Sequence, residues 1–596
     1  MNTILRATLT SLIIGNGGSL ALGQTENRSF DGIGNATNDL GHADSPFLRL
    51  VEANYPDGTG VAFDRADLPN PRLISNVLAA QTSDIGNQRR GTDYVWQWGQ
   101  FIDHDLTLAE AGTGEDGSIR VLDQTDPLFP IVPLTRSKFE QEGTHPRDQV
   151  NGITSFLDAS MVYGSDQERA DALRTMTSGR LRVTNDNLLP FNDTTLGMDV
   201  QGTALQTELR LAGDVRANEQ PGLLALHTLF VREHNRLATE LAKVHPDWSD
   251  EQLYQRARRL VGALMQKVTY QEWLPALLGS GAPRIENFSY QAEVDPRVSN
   301  EFATAFFRLG HTMVSPRLMR IRNDNWPDET ISMGLREVFF APGAMTDEGT
   351  LDLVLKGLGC QLHQKVDMKV NEDLRNFLFG QPGSGGLDLA ALNIQRGREH
   401  GLASYNTLRE FFQLEKATSW AAVTTDTALQ QQLASLYNSV DDLELWVGAL
   451  CEDPVAGSAL GELLTTAIAA EFSRIAQGDR FFYRWDAGLS VADREWVESN
   501  RLCDIIERNS GLTSMQEDVF ILPDAPEVKI VQKTGEKPKL AVMGDPGKSY
   551  NFRQSNDLSV WSKPMLDSAL NSGISRHWIV LGESDEQRGF FQLIEE

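Results

Sequence analysis

The chain has 596 residues, 40% of them hydrophobic and 8% aromatic, so it can bury the core of one large domain and a smaller one. Its 54 basic and 82 acidic residues give a net charge of −28. Such a surface repels phosphate backbones, which excludes nucleic acid as the expected partner. Three cysteines are too few for a disulfide scaffold, although they allow one bridge.

The N-terminus has the features of a secretory signal. Arg6 precedes a mostly apolar stretch that ends in small residues, which predicts a signal peptide over 1–23 and a secreted, extracellular or periplasmic protein. Residues 24–69 are polar and glycine-rich, which indicates an arm or linker. No later segment has the run of about 18 apolar residues that spans a bilayer, so no transmembrane segment is expected.

Residues 70–524 have mainly helical apolar spacing. One helix is predicted to begin at Pro221 and to run for about six turns, and another to end at Gly478. A third is predicted from apolar residues at i, i+3, i+4 and i+7, namely Phe302, Ala305, Phe306 and Leu309. Residues 525–596 consist of short β-rich segments split by Gly, Pro, Asp and Ser. The predicted fold class is therefore mainly α, with a small C-terminal β-sandwich-like module.

The stretch "GQFIDHDL", Gly99 to Leu106, places acids and a histidine inside an apolar run. If it is helical, Gln100, Asp103 and His104 share one face, and Asp105 is turned by about 100° from His104. One aspartate can then work beside the histidine while the other binds something on a neighbouring face. Buried polar groups need partners, and perturbed histidines cluster at reactive sites.

This stretch resembles the distal-haem helix of the animal-type haem peroxidases. Other blocks typical of that family follow in the same order between residues 70 and 524, which makes the resemblance specific. They read "NGITSFLDASMVYGS", "AGDVRANEQPGL", "LFVREHNRLATEL", "FFRLGHTMVSPRL", "LDLAALNIQRGREHGL", "DLELWVGALCEDP" and "GDRFFY".

The resemblance implies three catalytic residues. His104 matches the distal histidine, which takes a proton from hydrogen peroxide and returns it so that water leaves. Arg216 matches the distal arginine, which stabilises the negative charge that builds as the O–O bond breaks. Gln100 matches the distal glutamine, which holds a water and, in halide-oxidising members, neighbours the halide.

The resemblance also implies residues that hold haem b. His311 matches the proximal iron ligand, and Gly310 before it allows close approach of the macrocycle. Asn393 matches the residue that accepts a hydrogen bond from the other ring nitrogen of that ligand. Arg308 matches an arginine near a haem propionate.

Two acids match the carboxylates that form ester bonds to the haem in many members, Asp103 and Glu219. Covalent attachment through both is therefore expected to be open to this chain. Gln220 stands where myeloperoxidase-like proteins have a methionine that makes an additional sulfonium link, so we expect that link to be absent.

A calcium site is implied between the distal helix and the loop "TSFLDAS". The matching ligands are oxygen donors, which suit a cation that takes six to eight of them. They are Asp105, Thr154, the carbonyl of Phe156, Asp158 and Ser160.

Some residues stay outside the implied sites. We interpret His227, His234 and His400 as structural hydrogen-bonding histidines, because no second metal ligand stands at a suitable spacing. Cys503 occupies a position where mammalian relatives have a disulfide cysteine, but the segment of its usual partner has none here. It is either a free buried thiol or paired with Cys451, while Cys360 has no assigned pairing.

The implied function is a secreted haem peroxidase that uses hydrogen peroxide, through an oxyferryl intermediate, to oxidise halides, thiocyanate or small organic donors such as phenols. A fatty-acid oxygenase of the same superfamily is the first alternative, but those enzymes carry a tyrosine three residues before the proximal histidine, where Arg308 stands. A non-catalytic matrix or adhesion module is the second, and it would be expected to lose His104, Arg216 or His311. Nothing in the sequence indicates the oligomeric state.

Overall fold

The computed structural model describes residues 26–61, 68–200, 204–323, 333–341, 343, 345, 348–378, 386–513, 515–522 and the C-terminal strands given below. The predicted signal peptide lies outside this part of the chain. Within it, no helix combines the length and the apolar character needed to cross a membrane.

The three longest α-helices of the described residues are Pro221–Val244, Asp250–Val268 and Glu462–Gly478. The predicted start at Pro221 and the predicted end at Gly478 are both confirmed. Proline suits the first helical position because its missing N–H needs no partner there, and the Gln220 side chain caps the same end by accepting from the Gly222 N–H. The other α-helices are Pro71–Ile74, Tyr94–Leu106, Ser160–Tyr163, Gln167–Ala172, Leu274–Leu278, Asn300–Thr304, Gly310–Met313, Leu335–Val338, Glu348–Leu358, Glu372–Arg375, Leu389–Glu399, Tyr405–Phe411, Trp420–Val423, Thr427–Leu436, Leu445–Cys451, Val491–Ser499 and Leu502–Arg508.

Short antiparallel strands accompany the helices. They pair as small ribbons, with Asp148–Asn151 between two partners in the largest of them. Their bounds are Ser45–Pro46, Ala111–Asp116, Ile119–Arg120, Ile131–Val132, Thr135–Ser137, Phe139–Glu140, Asp148–Asn151, Arg317–Leu318 and Met333–Gly334.

The C-terminal region contains strands where the sequence predicted them. Two antiparallel three-stranded sheets are present. In spatial order the first consists of Glu527–Val531, Lys539–Met543 and Arg576–Val580, and the second of Met565–Leu566, Tyr550–Ser555 and Phe590–Glu595. The mainly helical fold class with a C-terminal β-rich part is therefore confirmed, while the boundary at residue 525 stays a prediction.

The described part of the predicted N-terminal arm is anchored on the helical body. Ser45–Pro46 pairs with Asp148–Asn151, Phe30 and Phe47 are buried, and Arg28 forms an ion pair with Asp479 at 2.7 Å. These contacts attach the described part of the arm to the helical body. A polar composition alone did not reveal the two aromatic anchors.

The predicted helix over Phe302–Leu309 is interrupted. Asn300–Thr304 is α-helical, Ala305 leaves the helical conformation at φ −130° and ψ −63°, and Phe306–Leu309 forms a 3₁₀-helix. Gly310–Met313 is α-helical again. The rings of Phe302 and Phe307 stack with centroids 4.4 Å apart, so packing across the break compensates for the lost helical hydrogen bonds.

The core around the Tyr94–Leu106 helix is aromatic. The indole of Trp98 contacts the rings of Phe101, Phe230 and Phe520, with centroids between 5.7 and 6.2 Å apart. This helix packs against Pro221–Val244, Ser160–Tyr163 and Gly310–Met313. A largely buried helix thus carries the stretch that the sequence singled out.

A buried ion cluster ties Pro221–Val244 to the Leu502–Arg508 helix. Glu233 is fully buried and accepts from Arg236 at 2.9 Å, from Arg508 at 2.6 and 3.0 Å and from Asn509 at 2.7 Å. Although burial opposes it, the charges of Arg508 and Arg236 hold the pKa of Glu233 below its usual range.

Glu233→Ala should lower the free energy of unfolding by about 3–5 kcal/mol, because it leaves two guanidinium groups without their buried partner. Urea unfolding of the wild type, of this variant and of a control variant, Glu240→Ala, measures the difference. Glu240→Ala, on the same helix, removes an exposed pair with Lys243 and should cost about 0–1 kcal/mol. Equal losses for both variants would contradict this account of the cluster.

Candidate active site

The Tyr94–Leu106 helix separates its polar side chains onto two faces, as its sequence predicted. Gln100 and Asp103 keep part of their surface exposed, while Asp105 is fully buried on the other side. The helix ends where Thr107 becomes extended and its N–H donates to the carbonyl of Asp103 at 2.8 Å. The Thr107 hydroxyl donates to the Asp103 carboxylate at 2.8 Å and fixes that side chain.

His104 lies beside an aspartate and an arginine that come from the segment before Pro221. Its Nδ1 is 3.6 Å from Oδ1 of Asp214. Arg216 donates to the same carboxylate through Nε at 2.9 Å and Nη2 at 2.8 Å. Burial, together with the charge of Arg216, holds the pKa of His104 well below its usual value, so the imidazole is neutral at pH 7.

A glycine allows this close approach. A Cβ on Gly213 would come within 2.5 Å of the carbonyl oxygen of Ser160, so a larger residue would push the segment away from the Ser160–Tyr163 helix. The N–H of Asp214 also donates to the carbonyl of Met161 at 3.1 Å. The backbone of Asp214 is thus fixed relative to the distal helix, which packs on the same short helix.

An amide cluster lies next to this trio. Gln100 donates through Nε2 to Glu219 at 2.7 Å, and Gln220 donates to Gln97 at 2.5 Å and to Gln100 at 3.0 Å. Burial raises the pKa of Glu219 to about 8. The position that carries methionine in myeloperoxidase-like proteins is therefore a hydrogen-bonding residue here.

Asp103 lies beside Arg216. Its side chain is 31% exposed, and its Oδ2 lies 4.0 Å from Nη1 of Arg216. Burial raises the pKa of Asp103, against the opposing charges of Arg216 and Arg308.

On the proximal side, His311 contacts Asn393. Asn393 is held on the Leu389–Glu399 helix, whose N-terminus is capped by Asp388, and its Nδ2 lies 2.9 Å from Nδ1 of His311. Burial, with the charge of Arg308, lowers the pKa of His311 to about 3, so the ring is neutral.

The polarity of this contact differs from the expected one. The sequence predicted that Asn393 accepts from His311, but its Oδ1 accepts from Nη1 of Arg308 at 3.1 Å, which turns the amide nitrogen towards the ring. A guanidinium can only donate, so it takes the amide oxygen. Burial lowers the pKa of Arg308 to about 10.

The residues expected to bind calcium are brought together and buried. Asp105 accepts from the Ser160 hydroxyl at 2.7 Å and from the Ala159 N–H at 2.9 Å. Thr154 donates to Asp158 at 3.1 Å, and the Phe156 carbonyl accepts from the Asp158 N–H at 2.9 Å. Burial and the charge of Asp158 raise the pKa of Asp105, and burial raises that of Asp158.

Two observations test whether the chain fits a haem. A Cβ added to Gly310 would meet no atom within 4 Å, so open space lies beside the residue that precedes His311. Polar side chains on both sides keep exposed surface although their elements are otherwise buried; they are Gln100, Asp103, Arg216, Glu219, Arg308 and His311. A neutral imidazole, open space and a partly exposed polar lining fit a haem between the two helices.

The remaining histidines and cysteines stay outside this arrangement. His234 bonds to Tyr163 at 2.9 Å and to Gly179 at 2.7 Å, and His400 bonds to Asn300 and Ser137, so both are structural. His227 is also buried: burial lowers its pKa to about 4, a hydrogen bond with the Met161 backbone opposes that change, and its ring packs edge-on against Phe101. All three cysteines are free and buried.

Asp214, Gln97 and Thr107 were not singled out by the sequence analysis. Asp214 stands inside the quoted block "AGDVRANEQPGL", where an acid two residues before an arginine resembles an ordinary local pair. Its contact with His104 joins positions 110 residues apart in the sequence, which spacing does not reveal.

An imidazole on each of two packed helices, one near an arginine and the other beside an amide, fits a haem peroxidase site. Residues 27–520 match the animal haem peroxidase family, and the chain belongs to that family. It is a peroxidase, and haem binding and hydrogen peroxide as oxidant come with the family.

Relatives span a range of sizes. The chain is 34% identical to peroxinectin A of Dictyostelium discoideum, covering 83% of this chain and 96% of the relative. It is 35% identical to human eosinophil peroxidase, covering 81% of this chain and 74% of the relative. It is 34% identical to the peroxidasin homolog pxn-2 of Caenorhabditis elegans, of which it spans only 42%.

Solved structures agree with this fold. Peroxidase A from Dictyostelium discoideum superposes with a TM-score of 0.78 at 32% identity, covering 83% of this chain and all of that one. The fatty acid α-dioxygenase of Oryza sativa superposes with a TM-score of 0.71 at 22% identity, over 88% of this chain and 93% of that one, which shows a shared fold alone.

Proposed function

We propose that this peroxidase oxidises halides, thiocyanate or small organic donors such as phenols, with His104, Arg216 and Gln100 as its catalytic residues. The observation that carries the proposal is the buried, neutral imidazole of His104 beside a fixed guanidinium. A base and a cation that share one buried carboxylate, Asp214, supply the proton acceptor and the positive charge that heterolysis of a peroxide requires.

When bound, haem supplies the redox-active iron that reduces hydrogen peroxide. The imidazole of His104 accepts a proton from the peroxide and returns it to the departing oxygen, so that water leaves. Arg216 stabilises the negative charge on that oxygen, and its rigid attachment to Asp214 means that little reorganisation is needed.

His311 is the proposed iron ligand, with Asn393 as its partner. Ligation through Nε2 requires the proton on Nδ1, so the amide of Asn393 must present its oxygen to the ring. A half-turn of the amide achieves this, since its oxygen and nitrogen are nearly equal in size. The turn frees Nη1 of Arg308, which then suits a haem propionate.

A donor panel tests the proposal. The haem-loaded protein is mixed with hydrogen peroxide and chloride, bromide, iodide, thiocyanate or a phenol, and the oxidised product is measured. We expect turnover with at least one donor, and its loss in His104→Ala. Turnover with none would favour the non-catalytic alternative, and oxygen uptake with linoleate in the absence of peroxide would favour the oxygenase alternative.

Asp103 and Glu219 are the proposed sites of two haem esters. Both carboxyl groups are partly exposed on the side of the proposed haem site, and the pKa of each is raised above its usual value. Gln220 has no sulfur to add a third link.

After peroxide treatment, the haem of the wild type should elute with the protein in denaturing acid chromatography. In the Asp103→Ala/Glu219→Ala double variant it should elute free, and Asp199→Asn, a nearby exposed acid, should behave as the wild type. Haem that still elutes with the double variant places the covalent link elsewhere.

Calcium is the proposed ligand of the Asp105 loop. The carboxylates of Asp105 and Asp158 are buried and repel one another, so a bound cation would stabilise them. The hydroxyl and carbonyl oxygens around them complete a set of hard donors.

Removal of calcium with EGTA should lower the thermal unfolding midpoint, because a ligand at 100 times its Kd contributes about 2.7 kcal/mol. Calorimetry with and without about 1 mM calcium, which is roughly saturating for sites of this kind, measures the shift of the unfolding midpoint. Asp105→Asn/Asp158→Asn should unfold at one temperature under both conditions. A wild type insensitive to EGTA would refute the calcium site.

Export is proposed through residues 1–23, followed by an arm over 24–69, a peroxidase domain over 70–524 and a β module over 525–596. The leader-like composition of the N-terminus supports it. N-terminal sequencing of protein recovered outside the cytoplasm should begin near residue 24, and an intact Met1 in that fraction would contradict cleavage.

A further inference from the structure

Asp214 is the acid that contacts both distal catalytic groups. Its carboxylate accepts three hydrogen bonds from Arg216: from the backbone N–H at 2.8 Å, from Nε at 2.9 Å and from Nη2 at 2.8 Å. One edge of the guanidinium is fully engaged in this way. Nη1 lies on the other edge of the guanidinium, 4.0 Å from Oδ2 of Asp103, and can donate to a reacting oxygen there.

The same carboxylate faces His104. Oδ1 of Asp214 lies 3.6 Å from Nδ1, and Nδ1 has no hydrogen-bond partner among the described residues although it is buried. An anion beside Nδ1 favours the tautomer that carries its proton there, because that N–H dipole points at the negative charge. Nε2 is then the unprotonated nitrogen that can act as a base.

The Asp214 carboxylate is a permanent anion suited to this task. Its side chain is 1% exposed, and both of its oxygens accept hydrogen bonds from Arg216. The backbone is fixed by the Met161 carbonyl and by the close packing of Gly213. The carboxylate of Asp214 thus contacts both the proton acceptor, His104, and the cation, Arg216. The reaction with peroxide depends on the relative placement of these two groups.

We propose that Asp214 is the positioning residue of the distal site: it holds His104 in the Nδ1–H tautomer and fixes Arg216 with Nη1 towards the substrate. This inference rests on the proposed function, since it assigns Asp214 a role through those two residues. An aspartate that only shaped the local turn would affect folding or haem content and leave the rates per bound haem unchanged.

The test compares Asp214→Asn with the wild type and with Asp199→Asn. Asp199 is an exposed acid whose backbone N–H donates to the carbonyl of Val215 at 2.9 Å, so Asp199→Asn removes a neighbouring carboxylate and should react as the wild type does. The first readout is the rate of reaction with hydrogen peroxide per bound haem. The second is cyanide binding, followed by the shift of the haem absorption band, because hydrogen cyanide must also lose a proton to a distal base.

In Asp214→Asn both rates should fall by about 10- to 100-fold, as is typical when a residue that orients a reactive group is replaced. The haem band of the resting protein and the KM for the donor should stay unchanged. In a His104→Ala/Arg216→Leu background the same substitution should have no further effect, since Asp214 acts through those residues.

If Asp214→Asn does not fold, the same comparison is made with Asp214→Glu, which keeps the charge and should show a smaller loss that also vanishes in the double-variant background. Rates per haem equal to the wild type, or an undiminished loss in that background, would overturn the proposal. A wild type that binds cyanide but does not react with peroxide would instead refute the proposed function.

Discussion

Replacement of His104 by alanine should slow the reaction of the haem-loaded protein with hydrogen peroxide by about 10²–10⁴-fold, the range typical of a lost general base. Haem should still bind, because the proposed iron ligand lies on the opposite helix. Burial and Arg216 hold the pKa of His104 well below its usual value, so the base is available at neutral pH and the loss should be seen there.

Stopped-flow absorbance in the haem band, normalised to bound haem, measures this rate. His245→Ala removes a histidine stacked on Trp248, away from the site, and should react as the wild type does. An unchanged rate in His104→Ala would remove the central residue of the proposed mechanism.

Arg216→Leu should lower the same rate constant by about 10²–10³-fold, as the loss of one preorganised donor to a developing anion does. Arg216→Lys should recover only part of the rate, because an ammonium keeps the charge but not the fork that Asp214 holds. The same stopped-flow measurement applies, with haem content as control. If leucine and lysine variants were equally slow, the shape of the guanidinium rather than its charge would carry the effect.

The long helices could be predicted from the sequence. Pro221 and Gly478 mark ends that local chemistry determines, and apolar spacing locates the segments between such ends. The break at Ala305 could not be predicted, since Phe302, Phe306 and Leu309 keep helical spacing across it. Stacking of Phe302 on Phe307 favours the break, and that contact exists only in the folded chain.

The site residues could be predicted where a sequence block typical of the family contains them. His104, Arg216 and His311 were assigned in this way, and the structure brings each beside a polar partner. Asp214 was missed because its role comes from a contact between distant segments. The polarity of the Asn393 amide depends on Arg308, a competition that no motif expresses.

The absorption spectrum of the purified protein, recorded with haem supplied and again after hydrogen peroxide, tests the central claim most directly. The account predicts a Soret band that disappears when His311 is replaced and that shifts on addition of peroxide in the wild type but far more slowly in His104→Ala. A folded protein with no Soret band, or with a band that peroxide leaves unchanged, would contradict it.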